Sequence, residues 1–259
     1  MNLLPLALNT LRETIRDKVL YVIVLFALLM IGSGTLLSSL SLNQQGKVVL
    51  DLGLSSISVF GLIITLFVGT NLLNKEIDKK TIYLLLSKPL RRSNFVLGKF
   101  LGLSLTLGII TLAMGAAFYA MLFYTLNGLH EDILPWIPTS AMALVLIYVE
   151  MLLLTASAIF FSTFATPVMS TMFTLGLYII GHMSYDILQF GKLTGKPALV
   201  QITQLLFYVL PDLERLNLKN VLIQQPVSMK IFGSSLGYGG LYIVGLLILS
   251  MMIFEGKEF

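Results

Sequence analysis

The chain has no cysteine and only two histidines among its 259 residues. Without thiols there is no disulfide, no iron–sulfur cluster, no thiolate zinc site and no cysteine nucleophile, and two histidines make a His-rich metal site a poor fit. Charge is scarce as well. Asp, Glu, Lys and Arg make up 12% of the chain, where soluble domains carry about 25%. So little charge cannot cover the surface of a water-soluble protein of this length. A soluble enzyme, a disordered chain and a nucleic-acid-binding module are all excluded. A phosphate-cradling G-x-x-x-x-G-K-[S/T] loop is missing too: Gly-Lys begins at 46, 98, 191, 195 and 256, followed by Val, Phe, Leu, Pro and Glu. No Asn-x-Ser/Thr sequon occurs, which is compatible with a bacterial protein. What the chain does have is apolar surface: 56% hydrophobic residues and a mean hydropathy of +0.90. This is the composition of an integral membrane protein.

A hydrocarbon core about 30 Å thick is crossed by roughly 20 apolar residues at about 1.5 Å each. Charge-free windows cover 19–46, 52–74, 100–129 and 231–254. Across 133–185 only Glu150 and His182 interrupt the apolar run, which is long enough for two spans. Thr166-Pro167 divides them, because proline disfavours helix at the preceding residue and suits a helix start. The expectation is an all-α membrane protein, one transmembrane domain over 1–259. Its six transmembrane helices fall at 19–41, 52–74, 99–126, 139–162, 167–186 and 236–254.

Lys and Arg in the loops set the orientation. Arg12, Arg16 and Lys18 precede the first span, and Lys75, Lys79, Lys80, Lys88, Arg91, Arg92 and Lys99 lie between the second and third. Lys257 follows the sixth. Both termini are therefore expected in the cytoplasm. At the start of the chain Leu4, Leu8, Leu11 and Ile15 recur at helical spacing, with Arg12, Glu13, Arg16 and Asp17 on other faces. That pattern reads as an interfacial amphipathic helix over 1–18 rather than a signal peptide.

Two loops are too large to be plain connectors. The cytoplasmic one, 75–93, holds a short helix outside the bilayer, with Glu76 and Lys80 paired at i,i+4 and Pro89 as its stop. Its charge either only fixes topology or, with the apolar residues, docks a soluble partner. The external one, 187–235, contains an apolar stretch, 197–210, too short to span and suited to a re-entrant or interfacial segment. Pro211 follows, then a polar helical stretch over 212–225.

Glu76, Lys79-Lys80-Thr81, Leu84-Leu85-Leu86-Ser87-Lys88-Pro89, Arg92 and Val96-Leu97-Gly98-Lys99-Phe100-Leu101-Gly102 resemble the cytoplasmic segment of ABC type-2 transporter permeases. The run Tyr208-Val-Leu-Pro211-Asp-Leu-Glu-Arg-Leu-Asn217 is similar to the branch of that family grouped with the permease of nitrous oxide reductase copper-enzyme maturation. The resemblance implies a non-catalytic subunit of the bacterial plasma (inner) membrane that pairs with a second copy or a paralogue. It implies two copies of a separate ATPase holding ATP and Mg, and an exporter. It implies docking of that ATPase by a coupling helix carrying Glu76, Asp78, Lys79, Lys80, Thr81 and Tyr83. No cofactor is expected on this chain, and the 187–235 loop is a candidate contact for a periplasmic or accessory membrane protein.

Among chemistry-bearing side chains Glu150 stands out. Twelve residues from Pro138 place it about 18 Å along span four, near mid-membrane. A carboxyl group there either lines a substrate pathway or anchors the span through a Ser, Thr or Tyr partner. His182 and Asp186, four apart at the expected outer end of span five, read as an interfacial ion pair. Gly233-Ser-Ser235-Leu-Gly237 matches G-x-S-x-G, but no strand precedes it and no His follows, so it reads as the start of a helix with a Ser cap. His130-Glu131 lacks the second His of H-E-x-x-H. No catalytic constellation survives. Two other functions stay open: a carrier or channel working alone, which one mid-span charge and no inverted repeat disfavour, and an ABC-like complex transmitting force to an envelope partner.

Overall fold

The computed structural model describes residues 3–14, 25–26, 29, 45–78, 92–128, 130, 132–217 and 228–256. Its elements are α1 (Leu3–Thr14), α2 (Gln45–Asp78), α3 (Arg92–Gly128), α4 (Ile137–Ser162), α5 (Pro167–His182), α6 (Ser184–Leu193), α7 (Pro197–Val209) and α8 (Met229–Glu255). Two short 3-10 turns, Leu134–Trp136 and Leu213–Arg215, complete the order, and no strand occurs among the described residues.

Four of these helices are long and apolar enough to cross a membrane: stretches within α2, α3 and α8, and α4 with the turn before it. They overlie the expected spans two, three, four and six. Their ends differ from those spans because hydropathy marks the membrane, whereas helices stop at caps. The α8 helix starts at Met229, seven residues before the expected 236, where the Ser228 side chain accepts a hydrogen bond from the Lys230 N–H. The α5 helix begins at Pro167, after an extended Thr166. It ends at His182 rather than 186, because Met183 leaves the helical region (φ −98°, ψ 4°) and α6 starts afresh at Ser184. The expected first span, 19–41, lies almost wholly outside the described residues. Of it, Phe26 is fully buried with its ring edge-on to Phe60 of α2, centroids 5.7 Å apart. The backbone of 75–78 continues α2 without a break, and the remainder of the coupling loop, 79–91, lies outside the described residues.

The centre of the bundle is α4, which touches α2, α3, α5 and α8. Its Leu146, Leu153, Ala156, Ala158 and Ile159 are fully buried. Small residues set the close approaches. At Gly61 any added Cβ would overlap the Met151 side chain of α4. The amphipathic α1 lies along the first half of α3, where a Cβ on Gly102 would stand 2.5 Å from Thr10 Cβ and 2.8 Å from the Ala7 carbonyl. Outside the bundle α6 and α7 form a hairpin. Gly195 makes the reversal with φ 63°, and Gly191 lets Thr203 approach where a Cβ could not stand.

Candidate functional site

Glu150 sits twelve residues before the end of α4, about 18 Å along it, and is 2% exposed. A buried ionisable group at that depth needs a partner. His182 supplies one, with Nε2 3.5 Å from Glu150 Oε1. The other ring nitrogen, Nδ1, lies 3.1 Å from the Tyr178 carbonyl, one turn back on α5. The Tyr178 and His182 rings lie against each other with centroids 4.5 Å apart, and Ser58 of α2 lies beside the Tyr178 hydroxyl. Three helices thus converge on one polar layer.

This arrangement corrects the pairing expected for His182. The break at Met183 takes Asp186 off the α5 face, and Asp186 is exposed on α6. His182 is the last residue of α5, fifteen residues and about 22 Å from Pro167, and its ring meets Glu150 there.

The segment after α7 reaches the same level. A Cβ on Gly181 would stand 2.7 Å from Leu213 Cγ and 2.9 Å from the Pro211 carbonyl. A Cβ on Gly239 of α8 would stand 2.7 Å from Val149, the neighbour of Glu150, and 3.4 Å from Leu216. Leu213 and Leu216 are buried. Asp212 ties the segment down. It is 7% exposed, its carboxylate accepts from Ser184 Oγ at 3.1 Å and Arg215 Nε at 3.0 Å, and its backbone N–H donates to the Tyr238 hydroxyl at 2.7 Å. The Arg215 guanidinium lies 5.0 Å from the Tyr238 ring centroid. Tyr242, one turn further along α8, donates to the Tyr208 and Leu210 carbonyls, each at 3.4 Å. The hairpin therefore returns from its Gly195 tip to the middle of the bundle. The run 208–217 stood out in sequence, but nothing there showed that its partners are Ser184, Tyr238 and Tyr242.

Other sequence features resolve simply. Ser235 is buried inside α8, where its Oγ donates to the Arg215 carbonyl at 2.8 Å, so the cap of that helix is Ser228 and not the Gly233–Gly237 motif. Glu76 and Asp78 lie on the last turn of α2, while Lys79, Lys80, Thr81 and Tyr83 are outside the described residues. A groove of about 580 Å³ between α3 and α4 is lined by Gly108, Leu112, Gly115, Ala116 and Val145 among others. The tyrosine hydroxyls beside it are engaged within the protein, Tyr119 with Ser140 and Tyr148 with the Ser104 carbonyl, each at 3.0 Å. Its wall is apolar.

No curated protein matches the chain. The model described as ABC-2 family transporter protein matches residues 4–259, and the chain belongs to that family.

Proposed function

We propose that two copies of this chain, or one copy and a paralogue, form the substrate pathway of an exporter driven by two copies of a separate ATPase subunit. The observation that carries the reading is the family match across 4–259: membership makes the chain a membrane permease of an ABC transporter and implies an ATPase partner. The helix lengths support the placement of the docking surface. A Cβ on Gly69 of α2 would stand 3.3 Å from Ala158 Cβ of α4. With that register, Leu73 comes level with Ser162, where α4 ends. Residues 74–78 then continue beyond it as a rigid helical turn leading into the charged loop. Glu76, Asp78, Lys79, Lys80, Thr81 and Tyr83 dock the ATPase there, and its closure moves α2 and α3 as rigid bodies. The loop side is cytoplasmic, in the bacterial inner membrane, and the α6–α7 hairpin re-enters from the opposite side.

The test is purification of the tagged chain from its native membrane under mild extraction, with accompanying proteins counted by mass spectrometry. About one ATPase per permease is expected, and the double charge reversal Glu76→Lys with Lys80→Glu is expected to release it. A preparation free of any ATPase would instead favour a carrier working alone.

A further inference from the structure

Surface exposed inside the hydrocarbon has to be apolar, and Leu112 of α3, Val145 of α4 and Leu241 of α8 meet that demand. The turn after α7 does not. Glu214 and Arg215 are both exposed, while Leu213 and Leu216 on either side of them are buried. Helix lengths give the depth of this turn. The Arg215 carbonyl accepts from Ser235, six residues or about 9 Å into α8. Leu216 lies beside Gly239, about 15 Å into α8, and Gly239 lies beside Val149, about 18 Å into α4. Both helices are about 40 Å long. Centred on a core about 30 Å thick, each overhangs it by about 5 Å at either end. The turn then lies about 4–13 Å inside the hydrocarbon boundary.

Long charged side chains can reach out of the core from such a depth, but these two are held where they are. Arg215 Nε is bonded to Asp212 Oδ2 at 3.0 Å, and its guanidinium lies 5.0 Å from the ring centroid of Tyr238, nine residues into α8. Glu214 Oε2 accepts from Asn217 Nδ2 at 3.2 Å, within the same turn. An exposed carboxylate and an exposed guanidinium at that depth face either lipid or water, and lipid would strip both of their hydration. We propose that Glu214 and Arg215 face a water-filled vestibule that enters the bundle from the side of the α6–α7 hairpin, with the turn at 212–217 as part of its wall. The vestibule deepens the proposed function by naming one wall of the substrate pathway, and that naming rests on the permease reading. The water itself follows from the depth and exposure of the turn and does not depend on an ATPase.

With no native cysteine to compete, single nitroxide labels test this directly. Glu214→Cys is labelled in the full chain, kept with whatever partners purify with it and held in lipid nanodiscs. Arg215→Cys takes its place should Glu214→Cys not fold. Leu112→Cys is the control for depth. Leu112 is exposed on α3 between Gly108 and Gly115, which lie beside Tyr148 and Leu144, about 10–17 Å into α4. Power saturation of the EPR spectrum reads collision of each label with a water-soluble nickel chelate and with oxygen, which concentrates in lipid. The ratio of nickel to oxygen collision is expected to be several-fold higher at 214 than at 112. A label at 214 relaxed mainly by oxygen would put the turn against lipid, and one reached by neither agent would put it under protein. A label at 112 reached as well by nickel as that at 214 would put this level outside the hydrocarbon. Each of the three overturns the vestibule. A wet label in a preparation free of any ATPase would sink the permease reading and leave the vestibule standing, whereas a lipid-facing label in an ATPase-bound preparation would do the reverse.

Discussion

At Asp212 a single carboxylate accepts from two partners that differ in their surroundings, and the difference sets what each is worth. Ser184 is buried, and its bond to a charged acceptor belongs to the class worth about 1.5–3 kcal/mol. Arg215 is 54% exposed at its side chain, so water screens its ion pair with Asp212 and about 1 kcal/mol is the ceiling. Asp212→Ala is therefore expected to destabilise the protein by about 2–3 kcal/mol, and Arg215→Met by less than about 1 kcal/mol. Thermal unfolding in detergent ranks the two, and equal losses would mean that the ion pair rather than the Ser184 bond holds the turn. Asp212 was visible in sequence as a charge after a proline, within the run 208–217. Its partners lie 28 and 26 residues away, at Ser184 and Tyr238. Local spacing carries no information on contacts of that kind. The same limit explains His182. Four-residue spacing pointed to Asp186, and the partner came instead from another helix, 32 residues earlier in the chain.

Helices were legible wherever one physical property sets them. Apolar length placed the four long ones, and Thr166-Pro167 placed the start of α5. Breaks made by backbone conformation alone were not legible: Met183 is an ordinary apolar residue in an apolar run, and nothing in its type announces the end of α5. Which small residues mediate helix contact was also hidden, because sequence shows that a residue is small but not which way it faces. The Gly237, Gly239 and Gly240 cluster separates cleanly once α8 is seen. Only Gly239 meets α4, at Val149, while a Cβ on Gly237 or Gly240 meets nothing within 4 Å. Gly239→Leu is expected to force α8 away from α4 and cost about 1–3 kcal/mol, as overpacking of a close contact does. Gly240→Leu, one residue on, is expected to leave thermal unfolding within about 0.5 kcal/mol of the parent. Comparable damage from both would mean that the cluster bends the helix rather than seating it.

For the molecule as a whole the open spatial question is which side of the membrane each end of the bundle faces, and the absence of cysteine makes it answerable without background. Positive charge is concentrated before the first span and in the loop between α2 and α3, and the proposed orientation has those regions in the cytoplasm. Lys196, exposed at the tip of the α6–α7 hairpin, and Gly256, exposed just past the end of α8, then mark opposite sides. The end of the hairpin at Tyr208 and Leu210 is bonded to Tyr242, whereas Gly256 follows 14 residues after Tyr242, about 21 Å further along that helix. Lys196→Cys is expected to react with a membrane-impermeant maleimide on intact cells, and Gly256→Cys only after the membrane is permeabilised. The reverse pattern would invert the whole assignment: it would carry the hairpin into the cytoplasm and put the charged 79–91 loop out of reach of any cytoplasmic ATPase. Reaction of both on intact cells would mean that α8 does not cross the membrane, contrary to its 27 apolar-rich residues, and would leave the polar layer at Glu150 near a surface instead of at mid-depth.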